Sequence, residues 1–259
     1  MMNFENLRIE KNEHIAIVTF NRPKAHNVLN LATIYELEKL VGELSKDDSI
    51  RVVVFTGSGK SFIAGADIAD MEPMTESEAK KYSLFGSEVF NRVTKLEKIS
   101  IAAINGYCFG GGNEFAMHCD LRYASTLAKF SQPEVCLGVI PGFSGTQTMP
   151  RIIGMAKTKE LVYTGRTFSA EEACEIGLIN QVFEEEHFME DVMNVAHKIV
   201  SNSFVAVINA KKAIHEGFEK PFAEGIFIEA THFSKCFTKP DQKEGMRAFL
   251  EKRPPNYQK

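Results

Sequence analysis

The pattern of hydrophobic and polar positions divides the first part of the chain into two strands, a helix and a third strand. The stretch LRIEKNEHIAIVTFNRP predicts a hairpin with a polar turn at Lys11–Glu13, ended by Pro23. After Asn30, a residue type that favours helix N-caps, apolar residues recur at helical spacing. The run RVVVFTG at 51–57 predicts a buried strand.

The middle of the chain continues this alternation of strands and helices. Thr75 and Glu78 form a capping-box pattern that predicts a long helix to about Lys98. Around it we expect a loop at FIAGADIADM, a strand at SIAAINGYCF, a turn and short helix at GGGNEFAMHCD, and a strand at LRYAS. The alternation predicts an α/β fold class.

The last third is predicted to be mostly helical. SGTQTMPRIIGMAKTKELVYTG reads as helix with an interruption at Pro150, Ser169 and Glu172 cap a further helix, and two more begin near Glu190 and Ala206. The C-terminal stretch is rich in phenylalanine, which fits either an oligomer contact or packing within the subunit.

Composition narrows the class of protein. Hydrophobic residues make up 44% of the 259 residues and charged residues 25%, as in an ordinary globular protein of one domain with an appendage. The formal charge of −4 argues against a nucleic-acid partner. The N-terminus lacks the apolar segment of a signal peptide, and no apolar run approaches the ~18 residues of a membrane span. We therefore expect a cytoplasmic protein without a membrane partner.

The cysteines and histidines give no sign of a metal site or a disulfide framework. The five cysteines form no C-x-x-C pair, and the seven histidines form no H-E-x-x-H pair. Reduced thiols and the absence of a metal are the expectation.

Three segments come close to known nucleotide-binding or catalytic motifs but do not match them. Gly59, Lys60 and Ser61 resemble the end of a phosphate-binding loop, but Val54 occupies the position of its first glycine. GYCFGGG does not fit the dinucleotide fingerprint G-x-G-x-x-G. GFSGT is one residue off the nucleophile elbow G-x-S-x-G, and Ser144 has no recognisable His/Asp pair.

Two glycine-containing loops and two glutamates suggest a different chemistry. AGADI (64–68) and GGGNE (110–114) each follow a strand, and one backbone N–H from each could bind an oxygen that gains negative charge. Such turns are also common for packing alone. Glu114 and Glu134 lie beside glycine-containing turns in weakly charged stretches, where two carboxylates suit proton transfer on either side of an enolate.

Six segments resemble, in order and spacing, the motifs of the enoyl-CoA hydratase (crotonase) family. They are NRPKAHN, FIAGADI, NGYCFGGGNEFAMHCDLRYAS, FSQPEVCLGVIPGFSGTQ, EACEIGLIN and DQKEGMRAFLEKR. The resemblance covers essentially the whole chain. It implies a spiral of ββα units over residues 1–200 and a C-terminal helical region over 201–259 that associates into trimers, commonly paired as hexamers.

The resemblance also assigns roles to residues. The N–H groups of Ala66 and Gly111 would form an oxyanion hole for a thioester carbonyl. Glu114 would deprotonate a water that attacks the β-carbon, Glu134 would deliver a proton to the α-carbon, and the backbone of Gly142 would help to hold substrate and water. The implied reaction is the reversible syn hydration of a trans-2-enoyl-CoA.

Further positions are matched to binding of the acyl-CoA substrate, whose coenzyme A is part of the substrate and not a cofactor. Lys24 and Lys60 would lie near the mouth that receives the CoA phosphates and adenine. The other matched positions are Ala25, Ala64, Gly65, Asp67, Ile68, Phe249 and Lys252, of which the last two are matched to the same mouth, from the same or a neighbouring subunit.

Four residues depart from common family patterns. Ala69 stands where many hydratases carry a lysine near the adenine, Asn113 replaces a frequent cysteine, Ser131 a glycine, and Thr148 an arginine. None of these changes affects the two glutamates. They weaken the assignment of a particular substrate more than the assignment of hydration.

Other functions remain open at this point. Isomerisation or decarboxylation by the same family would share the oxyanion hole but usually differs at an acid/base position, so glutamate at both positions favours hydration. A non-catalytic RNA-binding member is disfavoured by the acidic charge balance.

Overall fold

The computed structural model describes residues 4–257, which contain two β-sheets and eleven α-helices. The strands are β1 Leu7–Asn12, β2 Ile15–Phe20, β3 Val52–Gly57, β4 Ser61–Ile63, β5 Ile99–Ile104, β6 Tyr107–Phe109, β7 Leu121–Ser125, β8 Lys129–Ser131, β9 Phe168–Ser169 and β10 Gln181–Phe183. A six-stranded sheet has the order β1-β2-β3-β5-β7-β10, and a four-stranded sheet has the order β4-β6-β8-β9.

The predicted hairpin and buried strand are confirmed. β1 and β2 are antiparallel, with Leu7 opposite Phe20 and Asn12 opposite Ile15. β2, β3, β5 and β7 then pair in parallel, which requires a crossover between successive strands. β5 is buried at every position, as expected for a parallel strand covered on both faces.

Three of the helices begin at the caps that the sequence predicts, Asn30, Thr75 and Ser169. The eleven helices of the described residues are α1 Leu31–Lys46, α2 Ile68–Met71, α3 Glu76–Thr94, α4 Gly111–Met117, α5 Gly145–Ile153, α6 Met155–Thr164, α7 Ala170–Glu175, α8 Phe188–Val200, α9 Phe204–Phe218, α10 Phe222–Cys236 and α11 Pro240–Leu250. The Asn30 side chain accepts the Thr33 N–H at the start of α1. Thr75 and Glu78 form the full capping box of α3.

Three sequence expectations are wrong in detail. FIAGADIADM is not simply a loop, because β4 and the short helix α2 lie within it. SIAAINGYCF forms two strands, β5 and β6, of which the second belongs to the other sheet. α3 ends at Thr94 and not near Lys98, since β5 begins at Ile99 and the intervening residues join the two elements.

The core around α4 is built from aromatic rings. Phe115 packs edge-on against Phe20, Phe55 and Phe90, with ring centroids 5.1–5.3 Å apart. Each of these rings is at most 1% exposed. Edge-to-face contacts of this kind add to the free energy gained by burying the rings. They fix the helix that carries Glu114, the residue immediately before Phe115.

By its internal contacts the chain divides into two compact units, one extending to Met193 and one beginning at Asn194. The first contains both sheets, and the second contains α9, α10 and α11. α9 and α10 pack closely in the second unit, where Gly217 and Gly225 let the two backbones approach. Within residues 4–257, no helix has the length and apolar character needed to cross a membrane.

Candidate active site

The two glycine-containing loops predicted to bind an oxyanion lie side by side. A Cβ atom added to Gly111 would be 3.5 Å from the Ala66 nitrogen. Leu29 forms an isolated bridge with Ala66: its N–H donates to the Gly65 oxygen, and its oxygen accepts the Asp67 N–H. Neither Ala66 nor Gly111 has a protein acceptor for its N–H among the described residues. The loops therefore present two adjacent free donors.

Glycine is required in the second loop by space and by backbone conformation. Gly110 has φ of +48°, a conformation that other residues rarely adopt, and a Cβ there would lie 2.7 Å from Glu134 Oε1. A Cβ on Gly112 would lie 2.1 Å from the Ile63 oxygen of β4. The glycines bring α4 directly against β4 and leave room for the Glu134 carboxylate.

Glu114 is almost completely buried, at 1% exposure, and is held by backbone donors. The N–H groups of Phe143 and Gly145 donate to its Oε1 at 2.8 and 2.7 Å. Burial, and secondarily the charge of Glu134, raise the pKa of Glu114 to about 8, while these two hydrogen bonds act against the rise. Glu114 can thus hold or release a proton near neutral pH.

Glu134 lies close enough to Glu114 for the two charges to interact, and it has one free oxygen. Its Oε1 accepts a hydrogen bond from the Gln132 amide at 3.0 Å, whereas its buried Oε2 has no partner among the described residues. Gln132 is itself held by Asn113, whose amide donates to its oxygen at 3.0 Å. Burial raises the pKa of Glu134 as well. Asn113, a departure from the family pattern, therefore acts in orienting Glu134 through Gln132.

The backbone at Gly142 is fixed by α3. The Ser83 hydroxyl donates to the Gly142 oxygen, and the Ser87 hydroxyl approaches it at 3.5 Å. Phe143, the next residue, fills the space between α3 and α4: Cβ atoms added to Gly86 and Gly111 would lie 2.3 and 3.2 Å from its ring. Gly142 is thereby joined to the turn that donates to Glu114.

Tyr82 is a site residue that the sequence reasoning missed. Its ring lies 5.1 Å from that of Phe143, and its buried hydroxyl has no partner among the described residues. Burial raises the pKa of Tyr82, with contributions from the charges of Asp70, Asp67 and Glu114. The capping box at Thr75 and Glu78 predicted the helix, but no local motif marks this hydroxyl.

The residues matched to CoA binding fall into two groups. Lys24 and Ala25 form a single helical turn at 23–25, and a Cβ on Gly59 would lie 3.3 Å from Pro23, so this turn is next to Lys60. Both lysines are exposed. Ala64, Gly65, Asp67 and Ile68 belong to the first loop, where Asp67 pairs with Arg22 at 3.4 Å. Phe249 and Lys252 belong to the second unit and are both exposed.

The other three residues that differ from the family pattern are Ser131, Thr148 and Ala69, and two of them form hydrogen bonds within the protein. The Ser131 hydroxyl donates to the Gly165 oxygen at 3.0 Å, and its carbonyl accepts the Gly110 N–H. The Thr148 hydroxyl donates to the Ser144 oxygen at 3.1 Å within α5. Ala69 is exposed on α2. Ser131 thus supports the second loop directly.

Comparison with known proteins agrees with this geometry. The family model described as enoyl-CoA hydratase/isomerase matches residues 10–259. The chain is 46% identical to a short-chain-enoyl-CoA hydratase of Clostridium acetobutylicum, over 97% of each chain, and 45% identical to a crotonyl-CoA hydratase of Syntrophomonas wolfei, over 99% of each. The crystal structure of an enoyl-CoA hydratase from Bacillus anthracis superposes with a TM-score of 0.94 at 36% identity, covering 98% of this chain and 99% of that one. The chain belongs to the enoyl-CoA hydratase/isomerase family.

Proposed function

We propose that this protein catalyses the reversible syn addition of water to a trans-2-enoyl-CoA, giving a 3-hydroxyacyl-CoA, through the site formed by the two loops and the two glutamates. The observation that carries this proposal is the buried Glu114 and the half-buried Glu134, both with raised pKa, beside two unpartnered backbone N–H groups. Close relatives named as hydratases of short-chain enoyl-CoA and crotonyl-CoA support the same reaction.

The oxyanion hole in this proposal is formed by the N–H groups of Ala66 and Gly111. Attack at the β-carbon moves electrons onto the thioester oxygen, and two fixed donors stabilise the negative charge that develops there. The Gly111 N–H also lies at the N-terminal end of α4, where the helix dipole adds to this stabilisation. A single donor of this type typically contributes about 10²–10³-fold in rate.

The two glutamates divide the proton transfers. Because burial raises the pKa of both carboxyls and the charge of Glu134 raises that of Glu114 further, the pair favours a state that holds one proton. Two backbone donors stabilise the carboxylate of Glu114, which suits it to deprotonate the attacking water. Glu134, with its unpartnered Oε2, then delivers the proton to the α-carbon. The backbone of Gly142 helps to hold the water and substrate.

The substrate enters with its CoA portion toward Lys24 and Lys60, two exposed cations on adjacent turns that suit phosphate groups. Ala25, Ala64, Gly65, Asp67 and Ile68 would contact the rest of the CoA chain, and Phe249 and Lys252 are proposed to complete this mouth. The chemistry uses only carboxyls and backbone N–H groups, so we propose no cofactor beyond the CoA of the substrate.

A short acyl chain is the proposed preference. Phe143 fills the space between α3 and α4 immediately behind Gly111, which limits the depth available beyond the thioester carbonyl. The names of the two relatives, which specify short-chain and crotonyl substrates, agree with a shallow acyl pocket.

We also propose that the protein assembles as a trimer through α9, α10 and α11, with paired trimers as the larger form. The support is the concentration of exposed apolar side chains on these helices, including Phe222 at 84% and Phe227 at 75% exposure. The trimer contact would fall within residues 201–259.

The test is loss of the conjugated enoyl-thioester absorbance of crotonyl-CoA, followed with the wild type, Glu114→Gln and Glu134→Gln. Both variants are expected to lose about 10²–10⁴-fold in kcat, the usual contribution of a general acid or base. Glu175→Gln, an exposed glutamate on α7, is the matched control and should retain wild-type activity.

The same assay separates the alternatives. A wild type that binds CoA esters without hydrating crotonyl-CoA would point to isomerisation or decarboxylation by the same site. Tight RNA binding with ordinary salt dependence and no turnover would instead indicate a binding role.

A further inference from the structure

The turn that holds Glu114 contains a serine in an unusual backbone conformation. Ser144 lies between Phe143 and Gly145, the two residues whose N–H groups converge on Glu114 Oε1. Its φ is +79° and its ψ +5°, in the left-handed region that favours glycine. A serine there costs free energy that its surroundings must offset. The left-handed residue in the middle is what turns the N–H groups on either side toward one oxygen.

The Ser144 hydroxyl does not cap its own helix, α5, but contacts a histidine on another element. Ser144 Oγ lies 2.7 Å from His118 Nε2, at the C-terminal end of α4. His118 Nδ1 lies 2.9 Å from the Thr94 hydroxyl, which itself donates to the His118 backbone oxygen at 3.0 Å.

These contacts determine the direction of each hydrogen bond. Because Thr94 uses its proton on the His118 oxygen, its hydroxyl oxygen must accept from His118 Nδ1–H. His118 is buried, which lowers its pKa to about 4, so the ring is neutral and Nε2 is an acceptor. The Ser144 hydroxyl therefore donates to Nε2. The chain of bonds runs from Ser144 through His118 and Thr94 to the α4 backbone.

This serine–histidine pair is unsuited to nucleophilic catalysis. The group that orients His118 is the neutral hydroxyl of Thr94, not a carboxylate. A histidine whose pKa is lowered to about 4 is a weak base for removing a serine proton at neutral pH. The pair is placed to hold a turn instead.

We propose that Ser144 and His118 are a positioning pair for Glu114: the bond between them holds the 143–145 turn in its left-handed conformation and thereby keeps two backbone N–H groups on the Glu114 carboxylate. The inference rests on the proposed role of Glu114 as base and extends it to two residues that do not touch the substrate. Glu114 lies on α4 and His118 is the residue that caps its C-terminus, so one helix places the carboxylate and the group that fixes its donors.

The first test compares Ser144→Ala with Ser144→Gly. Alanine keeps the unfavourable φ and removes the hydroxyl, so the turn is expected to relax and kcat to fall about tenfold, which corresponds to about 1.4 kcal/mol. KM should remain within about twofold. Glycine adopts a positive φ without cost and is expected to stay within about twofold to threefold of wild type.

The pH profile of kcat gives a readout that a loss of stability alone would not change. The N–H groups of Phe143 and Gly145 keep the pKa of Glu114 below the value that burial and the charge of Glu134 would otherwise give it. In Ser144→Ala those bonds weaken, so the acidic limb of the profile is expected to move to higher pH. Ser144→Gly should retain the wild-type limb.

A second pair of variants tests the histidine. His118→Leu removes the acceptor and should behave like Ser144→Ala, whereas His118→Gln supplies an amide oxygen in place of Nε2 and should recover most of kcat. Combined with Ser144→Gly, His118→Leu should add little, because glycine no longer needs the bond. Thermal melts of each variant identify those that fail to fold.

Two results would overturn the proposal. One is a Ser144→Ala enzyme with wild-type kcat and pH profile; the other is a Ser144→Gly enzyme as impaired as Ser144→Ala. Failure of the proposed function is recognised separately, because Glu114→Gln would then remain active whatever the Ser144 variants do.

Discussion

The two compact units of the chain differ in how far their phenylalanine side chains are exposed. In the first unit, six phenylalanine side chains are under 2% exposed: Phe20, Phe55, Phe62, Phe90, Phe115 and Phe130. In the second, six rings on or beside α9, α10 and α11 are exposed: Phe218, Phe222, Phe227, Phe233, Phe237 and Phe249. The first unit completes its own core, while the second presents apolar surface of a kind that soluble proteins normally cover.

The polar interiors of the two units differ as well. In the first unit, Asn113 donates to Gln132 and Gln132 donates to Glu134, which lies beside the second glycine-containing loop. In the second, α9, α10 and α11 surround a cleft of about 600 Å³ in which His232 and Asp241 are buried. His232 contacts Asn209 at 3.0 Å and Glu216 at 3.1 Å. These bonds join helices to one another, so the polar groups there serve assembly of the unit.

The largest effect is expected from removing a buried phenylalanine ring of the first unit, compared with an exposed ring of the second. Phe115→Ala should lower the free energy of unfolding by about 3–5 kcal/mol, because the ring is completely enclosed by other aromatic side chains. Phe222→Ala should cost no more than about 0.5 kcal/mol in dilute protein, because its ring is 84% exposed. Guanidinium denaturation followed by circular dichroism measures both. Equal costs at low protein concentration would show that Phe222 belongs to a core of its own subunit.

The next prediction concerns assembly. Phe227→Glu and Phe233→Glu place charges on the exposed face of α10 and are expected to reduce the particle mass toward the 29.0 kDa of a single chain. Analytical ultracentrifugation provides the measurement. Leu127→Glu, on an exposed turn of the first unit, is the control and should leave the mass unchanged. A mass unaffected by the α10 variants would contradict a trimer contact on this helix.

The sequence predicts the features that depend on neighbouring residues better than those that depend on distant contacts. The local sequence was sufficient to predict the Thr75 capping box, the β1–β2 hairpin and the glycine turn before Glu114, since each depends on neighbours within a few residues. The second sheet was missed because β4 and β6 are three residues long and gain their stability from pairing with distant strands. Ser144 was set aside because its motif is one residue off the nucleophile elbow and no His/Asp pair was recognisable, and only the tertiary fold brings His118 to it.

A third prediction uses the raised pKa of Glu114, which opposes stability in basic solution. The folded pKa of about 8 lies above the ordinary glutamate pKa of 4.5, so the folded state keeps a proton that the unfolded chain releases between these values. Stability from this group is therefore fully present below about pH 4.5 and is lost as the pH rises toward 8. Glu114→Gln should raise Tm at pH 8 more than at pH 5.

Calorimetric melts across this pH range measure the effect, with Glu175→Gln as an exposed control. A Tm difference that is the same at both pH values would mean that Glu114 is not the group responsible. Stabilisation together with loss of hydration would show that the carboxyl is retained for chemistry at a cost in stability.

The smallest effects compare a helix cap from each unit. Thr75→Ala removes the capping box of α3, which is exposed, and should cost about 1 kcal/mol. Ser203→Ala removes both the N-cap of α9 and the hydrogen bond that its hydroxyl donates to the buried Asp241 of α11 at 2.7 Å. Because a buried carboxylate then loses a donor, we expect about 2 kcal/mol. Urea denaturation at one protein concentration measures both, and a Ser203→Ala cost no larger than that of Thr75→Ala would show that the second unit does not depend on this link between its helices.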